Sequence, residues 1–436
     1  MMENSKKPDS MSHLNNRAVD DFVENVAELW VPSSIERLST EPDPLTFMRE
    51  YVSRSMPCII PYDGPGVGLT LDDLVDIMGD HASKDLITVD TTPDGWGDCV
   101  RCVYSPNDES DKDQNVDIDK ATASNSSSSP RMQAFEKYFV QPEERKMTLT
   151  DFRFHLRQRK SIDVLNGDID TPLIFPLVDP IESEMTVNRK CKQCQSLPQS
   201  CVFYYSRQND CLRTELNRLF EKDLFPRCIP FAEKAFGPRC SLEAVNLWIG
   251  DERVTSSMHK DYYENLFIVL SGEKIFTLCP PCDVLFIPEH EYFTGRFRYI
   301  EHKDVRSCSN PGLTSCNGYW AVKKELDDNE VVIDDNMNKR QYRQLRTRWI
   351  EPDVTIDVKD ASMRNDLWPS ISKSHPFEVR VRQGEMLYLP SLWLHRVTQS
   401  QETVGVNYWY DMRFDDPKFI YSRFLQNMGN SGIRMI

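Results

Sequence analysis

The stretch Gly384-Glu385-Met386-Leu387-Tyr388-Leu389-Pro390-Ser391-Leu392-Trp393-Leu394-His395 decides the reading of the fold. Gly384-Glu385 makes a turn, the apolar run Met386 to Leu389 forms a strand, and Pro390 ends it. His395 then emerges where an adjacent barrel strand can meet it. Upstream lies His259-Lys260-Asp261. Residues two apart on a strand point to one face, so this imidazole and carboxylate can converge on a single ion. Two histidines and one carboxylate form a facial triad that leaves adjacent positions open on an octahedral iron, where a co-substrate and oxygen can both bind. Zinc more often takes four protein ligands, or three and a water. A lone His-x-Asp arises easily by chance, and its histidine is then an ordinary core residue. The long Gly-to-His motif is far less accidental, and of the eight histidines these two alone sit in such surroundings.

Working outward, the chain from about Val202 has a β texture. Val245 to Ile249, Leu266 to Leu270, Ile275 to Leu278, Val379 to Val381 and Val404 to Tyr408 are short runs separated by Gly, Pro and acidic turns. Only Leu212 to Phe225 carries a helical stripe. Many short strands with long excursions between them point to a barrel or sandwich. The N-terminal half is mixed. A helix is expected over Val19 to Trp30, a second opens at Asp43-Pro44, and a third is capped by Thr70 and stopped by Gly79. Ile87 to Val89 reads as a strand and Asp94-Gly95 as a tight turn. Ser105 to Pro130, with its run of serines, has almost nothing to bury and reads as a disordered insertion. Arg296 to Arg348 reads as a second irregular excursion, in which an acidic block precedes a basic one; solvated or self-paired charges explain it more simply than a docking surface. The expected fold is mainly β with added helices: a double-stranded β-helix (jelly-roll, cupin) core over 202–426, an N-terminal α+β region over 17–201, a flexible tail over 1–16 and a C-terminal tail over 427–436.

Composition sets the outer limits. The 436 residues are 39% hydrophobic and 10% aromatic, too rich in apolar side chains for wholesale disorder. The 52 Lys and Arg against 68 Asp and Glu give a net charge of −16, which argues against specific nucleic-acid binding. No apolar run approaches the ~20 residues of a membrane span, and Met1 to Asn16 lacks an apolar signal-peptide core. These features describe a soluble protein of the cytoplasm, with the nucleus as a second compartment. Thirteen cysteines, an odd number in a long chain, fit free thiols in a reducing compartment. Among them Cys191 and Cys194, followed by Cys201 and Cys211, have spacing that could close a zinc site.

The triad motifs, with Val254 to Leu266, Val269-Leu270-Ser271-Gly272-Glu273-Lys274 and Val406-Asn407-Tyr408-Trp409-Tyr410-Asp411, resemble the JmjC branch of the cupin-fold iron and 2-oxoglutarate dioxygenases. Within that branch they resemble protein (3S)-lysyl hydroxylases to which peptidase activity is also ascribed. Trp30-Val31-Pro32, Pro57-Cys58-Ile59-Ile60 and Val89 to Gly95 extend the resemblance over nearly the whole chain. It implies that His259, Asp261 and His395 hold Fe(II), and that Lys274 pairs with the distal carboxylate of 2-oxoglutarate. A buried dicarboxylate needs such a cation to offset its desolvation. It further implies that Tyr204 donates to the same carboxylate, that Ser256 keeps a hydroxyl where the family usually has threonine, and that Asn265 and Asn407 lie near the co-substrate. Three positions depart from the pattern: Tyr262, Phe267 and Arg396. Phe267 removes a hydroxyl from the pocket.

The implied chemistry consumes O2 and 2-oxoglutarate, releases succinate and carbon dioxide, and oxidises an unactivated C–H bond of a lysyl side chain in a protein substrate such as a translation-factor-class GTPase. A lysyl group needs an acidic or aromatic receptor, for which Asp94 and Asp98 are candidates. Histone-lysine demethylation and histone-tail peptidase activity are the competing activities, and a catalytically silent JmjC binding module is the reading from another class. Asp261 stands where many demethylases carry Glu, and no H-E-x-x-H helix is present. The resemblance also implies a homodimer.

Overall fold

The computed structural model describes residues 10–31, 34–105, 135–157, 174–178, 201–301, 318–333, 340–352 and 369–430. Two sheets share one apolar interior. The first has the order β1 (Glu36–Arg37), β2 (Cys58–Pro61), β20 (Glu385–Leu389), β12 (Tyr263–Ser271), β22 (Thr403–Asp411) and β10 (Leu242–Gly250). The second runs β19 (Phe377–Arg382), β13 (Glu273–Cys279), β21 (Leu394–Gln399), β11 (Thr255–Lys260) and β4 (Trp96–Gly97). Phe267, Val269, Leu387 and Trp409 from one sheet pack with Phe276, Leu278, Val379 and Trp393 from the other. This is the jelly-roll core the sequence implies.

The run Leu266 to Leu270 shows no apolar–polar alternation because β12 is buried on both faces. Phe267 and Val269 enter the shared interior, whereas Leu266, Ile268 and Leu270 join a second core beneath the helices. That second core takes Phe47 from α2 (Pro44–Phe47), Leu71, Leu74 and Met78 from α3 (Leu71–Met78), Phe152 from α4 (Leu149–Arg157) and Phe231 from α6 (Pro230–Phe236). Thr70 caps α3 through a reciprocal box with Asp73, and Gly79 ends it at φ +55°. The N-terminal region is therefore built into the barrel. Its β2 pairs with β20, its β4 pairs with β11, and β3 (Leu86–Thr92) lies between β7 (Glu143–Thr148) and β9 (Val202–Tyr204).

Four expectations need correction. The first helix, α1 (Ser10–Leu29), begins inside the stretch expected as a tail, where no Gly or Pro interrupts helix propagation. At the other end α7 (Pro417–Asn430) runs past residue 426, because Gly429 lets the helix close on the backbone of Leu285, 2.7 Å from where a Cβ would stand. Between Leu212 and Phe225 only Asn217–Phe220 (α5) is helical, bounded by Asp210 and Asp223 at positive φ. The Arg296 to Arg348 excursion is largely sheet. There β15 (Gly318–Lys324), β8 (Ile174–Val178), β5 (Cys99–Tyr104), β6 (Glu136–Gln141), β14 (Glu289–Glu301) and β18 (Arg346–Ile350) form one sheet, and β14 also pairs with β15. Tyr138, Phe175, Phe297 and Trp320 give it a core of its own. Its hairpin, β16 (Leu326–Ile333) and β17 (Arg340–Gln344), runs the acidic block antiparallel to the basic one, with Asp327 opposite Arg343. Residues 106–130 of the expected insertion, Cys191 and Cys194 lie outside the described residues. Cys211 is buried, its sulfur accepting the Leu247 N–H at 3.1 Å.

Gly95 anchors the approach to β4. Its φ is +90°, its carbonyl accepts the Thr255 N–H at 2.9 Å, and a Cβ there would stand 1.9 Å from the Arg253 carbonyl oxygen. Gly95→Ala is expected to cost about 2–3 kcal/mol through strain at a left-handed position. Chemical denaturation measures this, and an unchanged midpoint would contradict the packing described here.

Candidate metal and co-substrate site

His259 and His395 are direct Cα partners in the antiparallel β11–β21 ladder. Alternation alone would put Ser256 and His259 on opposite faces. An irregularity between those two pairs inserts one extra residue in β11, so both reach the same cavity. Asp261 follows immediately after β11, and its carbonyl accepts the N–H of Leu392, which holds φ +72° in the turn before β21. Ligand-bearing segments from two strands are thus latched together by backbone.

The three donor atoms lie within 4.8 Å of one another, with His395 Nε2 3.5 Å and His259 Nε2 4.0 Å from Asp261 oxygens. Each imidazole sets its Nδ1 against a backbone carbonyl, His259 on Ser257 at 2.7 Å and His395 on Trp393 at 2.9 Å. A carbonyl only accepts, so Nδ1 carries the proton and Nε2 presents its lone pair. Burial, reinforced by His395, pushes His259 down to about 4, so it stays neutral and ready to ligate. Burial opposes ionisation of Asp261, yet its histidine neighbours hold it below the usual carboxylate range. This donor set fits a divalent iron of the facial-triad type. Among the described residues it is the one group of His, Cys, Asp and Glu side chains with metal-binding geometry.

The triad opens on a cavity of about 520 Å³. Lys274 lies on β13 at the same parity as Leu278, the cross-strand partner of His395, and is 2% exposed. Its Nζ donates to Tyr204 Oη at 3.1 Å and stands 5.1 Å from that ring's centroid. No carboxylate among the described residues pairs with it, and burial lowers it to about 7. Tyr204 in turn faces Ser256. Asn407 donates to Asn265 at 3.3 Å and accepts from the Trp248 indole at 3.0 Å, so the two asparagines brace each other along the cavity wall. Of the two acids proposed as receptors, Asp98 lines the cavity. Asp94 is not among the lining residues, and Arg101 takes its carboxylate at 2.6 Å.

A family model for the cupin-like domain matches residues 44–416. The chain belongs to the cupin-like JmjC family. It is 29% identical to the lysine-specific demethylase JMJ32 of Arabidopsis thaliana, over 94% of this chain and 91% of that protein. To the human bifunctional peptidase and (3S)-lysyl hydroxylase JMJD7 it is 28% identical, over 94% and 93%. To JmjC domain-containing protein E of Dictyostelium discoideum it is 27% identical, over 92% and 90%. JmjC oxygenases generally use Fe(II) and 2-oxoglutarate.

This JmjC chain also carries site residues that motif reading missed. Trp349, on β18, lies nearly parallel to His259, at 9° with centroids 6.0 Å apart. Its indole donates to Ser257 Oγ at 3.0 Å, and Phe139 of β6 packs on it at 4.6 Å. Both come from the sheet assembled over the excursion. The only sequence signal was the alternation in Arg346-Thr347-Arg348-Trp349-Ile350.

His259→Ala should lower bound divalent metal from about one per chain to near none, since removing even an outer-shell partner costs roughly 10–100-fold in affinity. Metal analysis after equilibrium dialysis measures it. Full occupancy in the variant would refute the triad.

Proposed function

We propose that this protein is an iron(II)- and 2-oxoglutarate-dependent protein hydroxylase acting at a carbon of a lysyl side chain. The observation that carries the reading is Lys274: a buried cation with no carboxylate partner among the described residues, facing the same cavity as a His-Asp-His triad. An isolated buried ammonium is costly, and an incoming dicarboxylate is what would relieve it. Lysine figures in the names of both the demethylase and the hydroxylase relatives, which supports a lysyl substrate.

His259, Asp261 and His395 would hold the iron, and with 2-oxoglutarate it supplies the oxidising power that places one oxygen atom in a C–H bond. The protein's own share is binding, orientation and exclusion of water. Lys274 and Tyr204 grip the distal carboxylate. Trp248, Asn407 and Asn265 form a hydrogen-bonded wall that fixes the width of the co-substrate channel. Trp349 and Phe139 cover the metal side of the cavity and keep bulk water away from His259.

Two measurements test this. Lys274→Met should weaken 2-oxoglutarate binding by at least ~100-fold, the scale of breaking a buried charge pair. In the wild type the ammonium form binds the dicarboxylate, and the empty site holds Lys274 at about 7. Binding should therefore be pH-independent below about 7 and weaken toward ~tenfold per pH unit above it. Calorimetric titration between pH 6 and 9 reads both effects, and an affinity that rises with pH would contradict the assignment. Second, intact masses of lysyl and methyl-lysyl peptides after incubation with Fe(II), 2-oxoglutarate and O2 identify the reaction. A gain of one oxygen agrees with hydroxylation, whereas loss of a methyl group or appearance of two fragments would replace this reading with demethylation or proteolysis.

A further inference from the structure

The cavity carries a second unpaired charge of opposite sign, and the hydroxylase reading does not use it. Asp98 lines the cavity, yet its carboxylate accepts no hydrogen bond from any described residue, and Oδ1 is fully shielded from solvent. The other acids on the same walls have partners. Asp90 accepts from Ser206 Oγ, Glu144 pairs with Arg207 at 2.8 Å and Arg296 at 3.2 Å, and Asp261 belongs to the triad. Arg296 is already committed, donating also to Glu325, Gln141 and the Pro142 carbonyl. A buried acceptor without a donor costs about 1–3 kcal/mol, more for a charged group, so the site is incomplete without a cationic donor.

We propose that Asp98 is the receptor for the ε-ammonium of the substrate lysine, and that Trp349 and Phe139 form the wall along which its methylenes lie. The inference rests on the hydroxylase reading and narrows its substrate to a free, unacylated and unmethylated lysyl group. Register fixes where the receptor sits. The parallel β4–β11 ladder pairs Ser256 with Gly97, and the next residue along, Ser257, donates from Oγ to the Asp98 carbonyl. The same Oγ accepts from Trp349, and the Ser257 carbonyl takes His259 Nδ1. One serine therefore ties receptor, aromatic wall and metal ligand into a single unit.

Asp98 consequently stands just past the end of β4, the strand beside the metal strand, at the level of Ser257. An ammonium held on Asp98 is engaged at nitrogen, which leaves the methylene chain, not a substituent on nitrogen, as the part free to face the triad. This geometry favours oxidation of a chain carbon over removal of an N-methyl group. The ammonium brings three donors to the carboxylate, whereas a trimethylated nitrogen brings none. Burial, with Asp90 as a like charge nearby, pushes Asp98 up to about 7 against the opposing pull of Arg296. Its φ of +47° is a conformation that Asp tolerates better than most residues.

The test uses full-length protein loaded with Mn(II) and N-oxalylglycine, which is inert to turnover. Random nonapeptide pools carrying a fixed central lysine, norleucine or Nε-trimethyl-lysine are passed over the immobilised protein, and the retained fractions are compared. The wild type should retain the lysine pool at least tenfold over both others. Asp98→Asn should reduce that ratio below twofold while binding N-oxalylglycine with unchanged affinity, which shows that the fold and the co-substrate site survive. Equal retention of lysine and norleucine pools by the wild type, or undiminished preference in Asp98→Asn, would overturn the receptor assignment. Failure of the wild type to bind N-oxalylglycine would instead remove the oxygenase reading beneath it, and the receptor with it.

Discussion

The register of one antiparallel ladder governs the molecule. With β11 and β21 paired so that His259 faces His395, both rings and Asp261 meet at one point; a slip of one residue would turn one ring to the opposite face. That register is pinned from several directions. On the far side of β21, Leu278 of β13 pairs with His395. The Leu392 turn bonds to Asp261, and Trp393 is buried with its indole on the Ser55 carbonyl at 2.8 Å. The irregularity in β11 then brings Ser256 to the side of the histidines.

Around this ladder the chain leaves two charges unbalanced. Among the described residues neither Lys274 nor the Asp98 carboxylate has a direct ion-pair partner, Arg296 acting on Asp98 only at longer range, although ion pairs are plentiful elsewhere, for example Arg157 between Asp72 and Glu402. An arrangement that maximised stability alone would have paired or replaced them. Their positions suit a cavity with two guests, one anionic and one cationic, a dicarboxylate at Lys274 and an ammonium at Asp98. The added sheet matters here because it supplies Trp349, Phe139 and the Arg296 cluster, so the side of the cavity proposed to take the lysyl group is built from segments distant from the metal motifs in sequence.

The metal half of this site was legible because its signals are local. Gly384 to His395 writes turn, strand, stop and ligand in one run, and Thr70 and Asp43 announce their helices by capping. The sheet over Arg296 to Arg348 was not legible. Its strands alternate with charges, as in Arg346-Thr347-Arg348, and its pairing is long-range: Phe293 meets Tyr138, and Val322 meets Leu177. Periodicity in one segment cannot report a partner more than a hundred residues away. Asp94 looked equivalent to Asp98 in sequence, and only the placement of Arg101 separates them. Leu212 to Phe225 misled because apolar spacing at Leu216, Leu219 and Phe220 is satisfied by a single turn as well as by a long helix.

The most direct test of the central claim is an anaerobic titration of the Fe(II)-loaded protein with 2-oxoglutarate, followed by visible absorption. Chelation of iron(II) by a 2-oxo acid gives a charge-transfer band that neither component shows alone. The account predicts a saturable band with one equivalent per chain in the wild type, and none in Asp261→Ala. A wild-type protein that binds iron but develops no band, or an Asp261→Ala variant that develops it fully, would contradict the claim that this triad and its cavity form an iron and 2-oxoglutarate centre.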